Sequence, residues 1–178
     1  MEKQKRVHYF NGQLLSAADL QAEQDYHRGM HRKHYLLLHG AGVVSGLKVS
    51  LGKEDSGPQV TVAPGHAVDP RGNLVSLCEA FQVTLPAPKA ALLVKIRYTE
   101  SLIDPLPSTD GDTGEETPFS RVEEGVEVLL VATTDTAATS RTPRARTTLP
   151  EEAVVLARLL PARSGWRLDR TFKVCRSS

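Results

Sequence analysis

The sequence predicts a mainly β protein: a sandwich or barrel-like body of about eight short strands, preceded by one N-terminal α-helix. Three observations point there. Apolar runs of strand length recur at roughly ten-residue spacing from Val43 to Val174. Turn signals separate them, as at Pro64-Gly65 and Asp69-Pro70-Arg71-Gly72-Asn73. Only one stretch, from Ser16 to Leu38, carries good helix formers at helical spacing.

The helix has a start and a stop. Val7, Tyr9 and Phe10 form a short apolar run that turns at Asn11-Gly12, a pair that favours positive φ. Ser16, with Asp19 three residues on, resembles a capping box, although Asp is a weaker partner there than Glu. Leu20, Glu23, His27, Met30, His34 and Leu37 fall near one stripe. Gly40 or Gly42 suits the C-terminal cap.

Strands follow. Val43–Leu51 alternates, Lys53–Pro58 is a polar turn, and Val60–Ala63 is stopped by Pro64-Gly65. Leu74–Leu77 and Phe81–Leu85 are two further strands, and Ala91–Tyr98 is a clear one. Val122–Thr133, Ala153–Leu160 and the segment from Trp166 to Val174 complete the set. Two polar stretches, Ser101–Pro118 and Asp135–Thr148, read as surface loops between strands and not as linkers. The organisation is therefore one structural domain: residues 1–42 form an N-terminal strand, turn and docking helix, and residues 43–178 form the β-rich body.

Composition narrows the function. At 178 residues a single core forms without staples. Aromatic residues are only 5% of the chain, so aliphatic side chains must fill that core. The 22 basic and 21 acidic residues leave a net charge of +1, which gives no global pull toward nucleic acid or an anionic membrane. No stretch approaches the ~18 apolar residues of a membrane span, so no membrane insertion is expected. The opening Met-Glu-Lys-Gln-Lys-Arg has no apolar run behind it, so no signal peptide is expected and synthesis is placed in the cytoplasm. Cys78 and Cys175 match no metal or redox spacing and are expected as reduced, partly buried thiols. A disulfide between them cannot be read from sequence.

Several constellations could carry chemistry. His27, His31 and His34 lie at i, i+4 and i+7 of the helix, and the first pair could chelate a metal. A catalytic zinc helix wants Glu beside its first histidine; here Arg28 follows His27, and Arg32 and Lys33 follow His31. That positive charge opposes a cation, so the imidazoles are expected to pack against the body or a neighbouring subunit, with no metal and no cofactor. Arg28, Arg32 and Lys33 also read as a basic patch, solvated or protein-facing, without a nucleic-acid motif. His66 and Asp69 could be two-thirds of a triad, but no Gly-x-Ser-x-Gly elbow exists, and Asp69 before Pro70 is better read as a turn residue capping amides. The glycines at 40, 42 and 46 lie between helix and strand, the reverse of a phosphate-binding loop, and are expected to permit close backbone packing. Asp110-Gly111-Asp112 lacks the spacing of a calcium loop.

Residues 8–78 also resemble a family. The segments are Tyr9-Phe10-Asn11-Gly12-Gln13-Leu14-Leu15 leading into a Glu23-Gln24 helix, His34-Tyr35-Leu36-Leu37-Leu38-His39-Gly40-Ala41-Gly42-Val43-Val44-Ser45-Gly46, and Val60-Thr61-Val62-Ala63-Pro64-Gly65-His66-Ala67-Val68-Asp69-Pro70-Arg71-Gly72. They resemble small baseplate or tail-associated proteins of phage-tail-like contractile injection systems. More distantly they are similar to phage tail-fibre attachment proteins and to a type VI secretion baseplate subunit. One departure is Ala41, where that pattern leads one to expect an aromatic.

The resemblance implies no enzymatic activity. It implies a structural or adaptor subunit at a baseplate, spike or fibre attachment, with other tail proteins as partners and usually in a homo-oligomer, a trimer or a hexamer. Its docking surface would be Tyr9, Phe10, Gln13, Leu14, Leu15, Leu20, Gln24, Met30, Leu37 and Leu38. Gly12, Gly40, Gly42, Gly46, Pro64, Gly65, Asp69 and Gly72 would shape the turns. Two other readings compete: a stand-alone β-sandwich surface- or carbohydrate-binding module using the two polar loops, and a metal-dependent enzyme on the His27, His31 and His34 helix.

Overall fold

In the computed structural model the described residues are 5–54, 57–106, 119–133, 152–163 and 165–177. One helix, α1 (Ala17–Leu38), precedes ten strands: β1 (Gly42–Gly46), β2 (Val49–Glu54), β3 (Gly57–Val62), β4 (Gly65–Val68), β5 (Leu74–Leu77), β6 (Phe81–Thr84), β7 (Leu92–Pro105), β8 (Phe119–Ala132), β9 (Ala153–Ala162) and β10 (Gly165–Leu168). The protein is mainly β, as the sequence predicts.

α1 begins with both halves of a capping box. The Asp19 amide donates to Ser16 Oγ at 3.2 Å, and the Ser16 amide donates to Asp19 Oδ2 at 3.0 Å. Its last turn closes on His39, after which Gly40 takes φ +69°.

The strands form three antiparallel sheets, ordered β1-β4-β5, β2-β3-β6 and β10-β9-β7-β8. Two more strands appear than the eight expected, and both have a local cause. The single strand read over Val43–Leu51 is broken because Gly46 and Leu47 both take positive φ, +63° and +52°. The chain thereby leaves β1 and enters β2 in another sheet. Gly65–Val68, which lies between the turn signals at Pro64-Gly65 and Asp69–Asn73, pairs on both sides, with β1 and with β5.

The break at Gly46 is also a close crossing. A Cβ on Gly46 would lie 2.1 Å from the Pro64 carbonyl oxygen, and one on Gly65 would lie 2.3 Å from the Ser45 oxygen. The two backbones touch where only glycine fits. Leu47 tolerates its left-handed conformation because its side chain is buried in the core and its amide donates to Pro64 O at 3.1 Å.

All three sheets contribute to one aliphatic core, including Val60, Val62, Val75, Val94, Ile96 and Leu159. β9 departs from strict alternation because β7 and β9 slip register between Val94 and Lys95: Val94 faces Ala157 and Lys95 faces Val155. Leu156 is the extra residue, so Leu156 and Ala157 are buried in succession.

β7 and β8 run on past β9, which pairs only as far as Arg97. The pair continues to Pro105 opposite Phe119. The loop expected from Ser101 therefore begins later, because Ser101, Leu102, Ile103 and Pro105 have partners on β8. The remainder of that loop beyond Leu106, and all of Asp135–Thr148, lie outside the described residues. The C-terminal tail returns to β1: the Val43 amide donates to Cys175 O at 2.9 Å, and the Ser177 amide donates to Val43 O at 3.1 Å. Cys78 and Cys175 are free and exposed, not partly buried as expected.

Candidate functional site

The N-terminal arm and α1 are the part of the chain that the core does not absorb. No residue of α1 is buried. The docking residues read from the sequence do not pack against the body. Leu14 is 92% exposed and Leu37 84%, and Tyr9, Phe10, Leu15, Leu20, Met30 and Leu38 are all exposed. Gln24 is exposed as well, whereas Gln13 is half-buried and its Oε1 accepts the Phe10 amide at 3.3 Å, bracing the Asn11-Gly12 turn. Tyr9 lies over the start of the helix. Its hydroxyl is held above the ordinary value of 10.0, chiefly by limited desolvation and then by the Glu23 carboxylate facing it.

What holds α1 to the body is polar. Glu100 on β7 receives Arg28 of the helix, takes a hydrogen bond from the Tyr98 hydroxyl at 3.0 Å, and has Arg32 at 3.8 Å. Desolvation, followed by hydrogen bonding to Glu100 and Glu124, raises the Tyr98 hydroxyl well above the ordinary tyrosine range, so it stays a donor. Arg32 Nε donates to Asn73 Oδ1 at 2.6 Å. Asn73 Nδ2 in turn donates to Asp69 Oδ2 at 2.7 Å, while Asp69 Oδ1 accepts the amides of Arg71 and Asn73, each at 2.8 Å.

Asp69 is only 1% exposed and is the one buried charged side chain among the described residues. It closes the β4–β5 turn, and through Asn73 it positions the turn for the helix. Gly72, at φ +88°, lets the turn approach: a Cβ there would lie 2.4 Å from the Arg32 carbonyl oxygen. Arg71 pairs with Glu152 on the same side.

These contacts change several sequence readings. Arg28 and Arg32 are not a free basic patch; they are turned toward Glu100 and Asn73. His66 and Asp69 do not form a dyad. His66 Nδ1 lies 3.1 Å from Ser76 Oγ across β4 and β5, and the Asp69 carboxylate is occupied by the turn. Among the described residues no group of three or more His, Cys, Asp or Glu side chains is placed to hold a metal, so His27, His31 and His34 do not converge within one chain. His27 Nε2 instead contacts Glu23 Oε1 at 3.1 Å.

Gly42, at φ +148°, meets the C-terminal tail, a Cβ there falling 2.7 Å from Cys175 O. The Arg32–Asn73–Asp69 chain was not anticipated. The only sequence signal for it is the pairing of Arg28 with Arg32 at i, i+4, which does not name its acceptor. A shallow cleft of about 540 Å³ lies elsewhere, lined by Leu51, Pro58, Leu85, Pro86, Pro88 and Trp166; its tryptophan is anchored by Nε1 donating to Pro86 O at 2.8 Å.

The architecture has relatives among solved structures. The chain aligns over 96% of its length with TssK, at 14% identity and a TM-score of 0.52. The fold is shared with TssK. A chain of the baseplate complex from the type VI secretion system aligns over 97% of this one at 12% identity, with a TM-score of 0.51. This chain spans 42% of the length of the first and 60% of the second. No protein-family profile and no curated protein matches the sequence. No helix among the described residues is long and apolar enough to cross a membrane.

Proposed function

We propose that the chain is a non-enzymatic structural subunit of the baseplate of a phage-tail-like contractile injection particle, acting as an adaptor at the baseplate, spike or fibre attachment. The observation that carries this is an arm and helix holding Leu14, Leu15, Leu20, Leu37 and Leu38 in solvent while the body's core is complete without them. Isolated surface leucines are ordinary, but five of them on one arm and helix, left uncovered at both ends of that helix, point to a protein-binding surface. The fold shared with type VI secretion baseplate structures supports the same reading. Partners are other baseplate or tail proteins and further copies of the chain, in a particle that is cytoplasmic or released.

Covering this cluster supplies several kcal/mol at ~25 cal/mol per Å² of apolar area. A stable interface covers roughly 800 Å² on each partner.

The test is incorporation. Particles purified from cells producing sheath, tube and spike together with this chain should contain it. The Leu14→Glu/Leu15→Glu/Leu38→Glu variant should fold, since these side chains are exposed, yet be lost from the particle fraction. Wild-type incorporation of the variant would refute the docking surface, and absence of the wild-type chain from the particle would refute the role.

A further inference from the structure

β7 has an inner and an outer face. Leu92, Val94 and Ile96 are buried in the core, while Leu93, Lys95 and Arg97 alternate with them and are half-buried. Strand pairing carries this outer face across the sheet. Val131 and Arg158 flank Leu93, and Leu129 and Val155 flank Lys95. All four flanking residues are half-buried too. The outer face of the β10-β9-β7-β8 sheet is thus an aliphatic patch with two cations set in it.

Those cations lack acceptors. Arg158 Nε is buried and has no hydrogen-bond partner. Its ion-pair partner Asp169 stands 3.9 Å from Nη1, beyond hydrogen-bond reach, and Asp169 Oδ1 accepts the Thr171 amide and hydroxyl at 3.0 and 2.6 Å. Lys95 enters no hydrogen bond or ion pair among the described residues. Arg97, on the same face, shows the contrast: its Nε donates to Glu127 Oε2 at 2.7 Å. Arg167, opposite Leu160, adds a fourth cation, against the two carboxylates of Glu127 and Asp169. A buried donor without an acceptor costs stability, so Arg158 asks for a group that the fold does not supply.

The group that fits is an acceptor of negative charge on something that also covers aliphatic side chains. The chain's own segment 134–150 does not match, since it holds Arg141, Arg144 and Arg146 against the single carboxylate of Asp135. Four strands at about 4.8 Å spacing span roughly 14 Å, wide enough for an α-helix of ~10 Å diameter. Diagonal positions on neighbouring strands lie roughly 7–8 Å apart, within reach of two carboxylates one helical turn apart.

We propose that this outer face docks an acidic amphipathic helix of a partner protein. One carboxylate meets Arg158 Nε and another, one turn along, meets Lys95; Leu93, Leu129, Val131 and Val155 lie beneath the helix's aliphatic side chains. The face is separate from the arm and α1, so the proposal stands or falls apart from the role given above.

The experiment titrates the full chain with a blocked peptide of about 18 residues, built of alanine and leucine with glutamates one turn apart beside the leucine stripe. Calorimetry should give a Kd below about 1 mM. Lys95→Gln/Arg158→Gln should weaken binding by about tenfold or more. Glutamine in place of the peptide's glutamates should do the same without altering the protein. Lys95→Glu/Arg158→Glu should prefer a peptide with lysine at those positions. Amide exchange should slow within residues 92–97, 127–131 and 153–160 when the peptide binds. Circular dichroism should show the variants folded, since both positions are on the outer face.

No binding by the wild-type chain, equal binding by the glutamine variant, or protection within residues 17–38 instead would overturn the proposal. Light scattering, and sedimentation with phosphatidylserine vesicles, test the other occupants. Self-association or vesicle binding abolished by Lys95→Gln/Arg158→Gln would give the face to a second copy or to a membrane, and would overturn it as well. Each of these results would leave particle incorporation through the arm intact.

Discussion

Replacing Asp69 tests whether one buried carboxylate organises both the β4–β5 turn and the seat of α1. The carboxylate is 1% exposed and accepts three hydrogen bonds: two from the amides of Arg71 and Asn73, and one from the Asn73 side chain. Hydrogen bonds to a charged group are worth about 1.5–3 kcal/mol each and do not add fully, because removing one acceptor frees all three donors together. Asp69→Ala should therefore cost about 3–5 kcal/mol, a large part of the 5–15 kcal/mol typical of a domain.

Asp69→Asn separates the two tasks. The amide oxygen still accepts the backbone pair, but its NH2 now faces the Asn73 NH2. Asn73 cannot turn over, because its oxygen is the acceptor for Arg32 Nε at 2.6 Å. The cost should be about 1.5–3 kcal/mol, with the loss extending to the helix. Urea unfolding with a common slope of about 2 kcal/mol per M would read the alanine change as a midpoint lowered by about 2 M. A midpoint within about 0.3 M of wild type at unchanged slope would refute the network.

Other perturbations follow from the same contacts. Glu100→Ala removes the acceptor for Arg28 and Tyr98 at a site about one-third exposed, so global stability should fall by only about 1 kcal/mol. Amide exchange should instead accelerate within residues 17–38 and not in the β core, and equal acceleration in both would count against a helix held by this cluster. Gly46→Ala should cost ~3–5 kcal/mol, since its Cβ would fall 2.1 Å from Pro64 O at φ +63°; Gly29→Ala, in open space within the helix, should stabilise by about 0.5–1 kcal/mol. Thermal unfolding of both glycine variants checks these opposite signs. Asp19 is depressed below its ordinary 3.8 by Ser16, and Asp169 by its Thr171 hydrogen bond and then by Arg158 and Arg167 against a desolvation that opposes it. Both therefore stabilise the fold above pH 3.8, and that stability is lost as the pH falls through their lower folded values. A Thr171→Val variant should show less of this acid sensitivity in a pH series of melting temperatures.

The fold class, the helix and most strands were legible because they depend on local chemistry. Ser16 and Asp19 close a capping box with their own neighbours, and the alternation in Val60–Val62 and Leu92–Ile96 follows from each strand having one buried face. The break at Gly46-Leu47 was not legible, because positive φ at Leu47 is imposed by the core and by the Pro64 crossing, neither of which is near in sequence. Likewise Ser101–Pro105 has loop-like composition and becomes strand only because Arg121 and its neighbours stand opposite.

The exposed arm was visible as apolar residues without being visible as exposed: the same leucines would suit a buried helix. Only the tertiary structure decided that α1 sits on the body by Arg28 and Arg32, polar contacts drawn from residues 41 and 72 positions away, and so leaves its apolar residues and histidines to solvent. Periodicity fixes which side chains share a face. Which face meets the body depends on acceptors that folding brings in from afar, here Asn73 and Glu100.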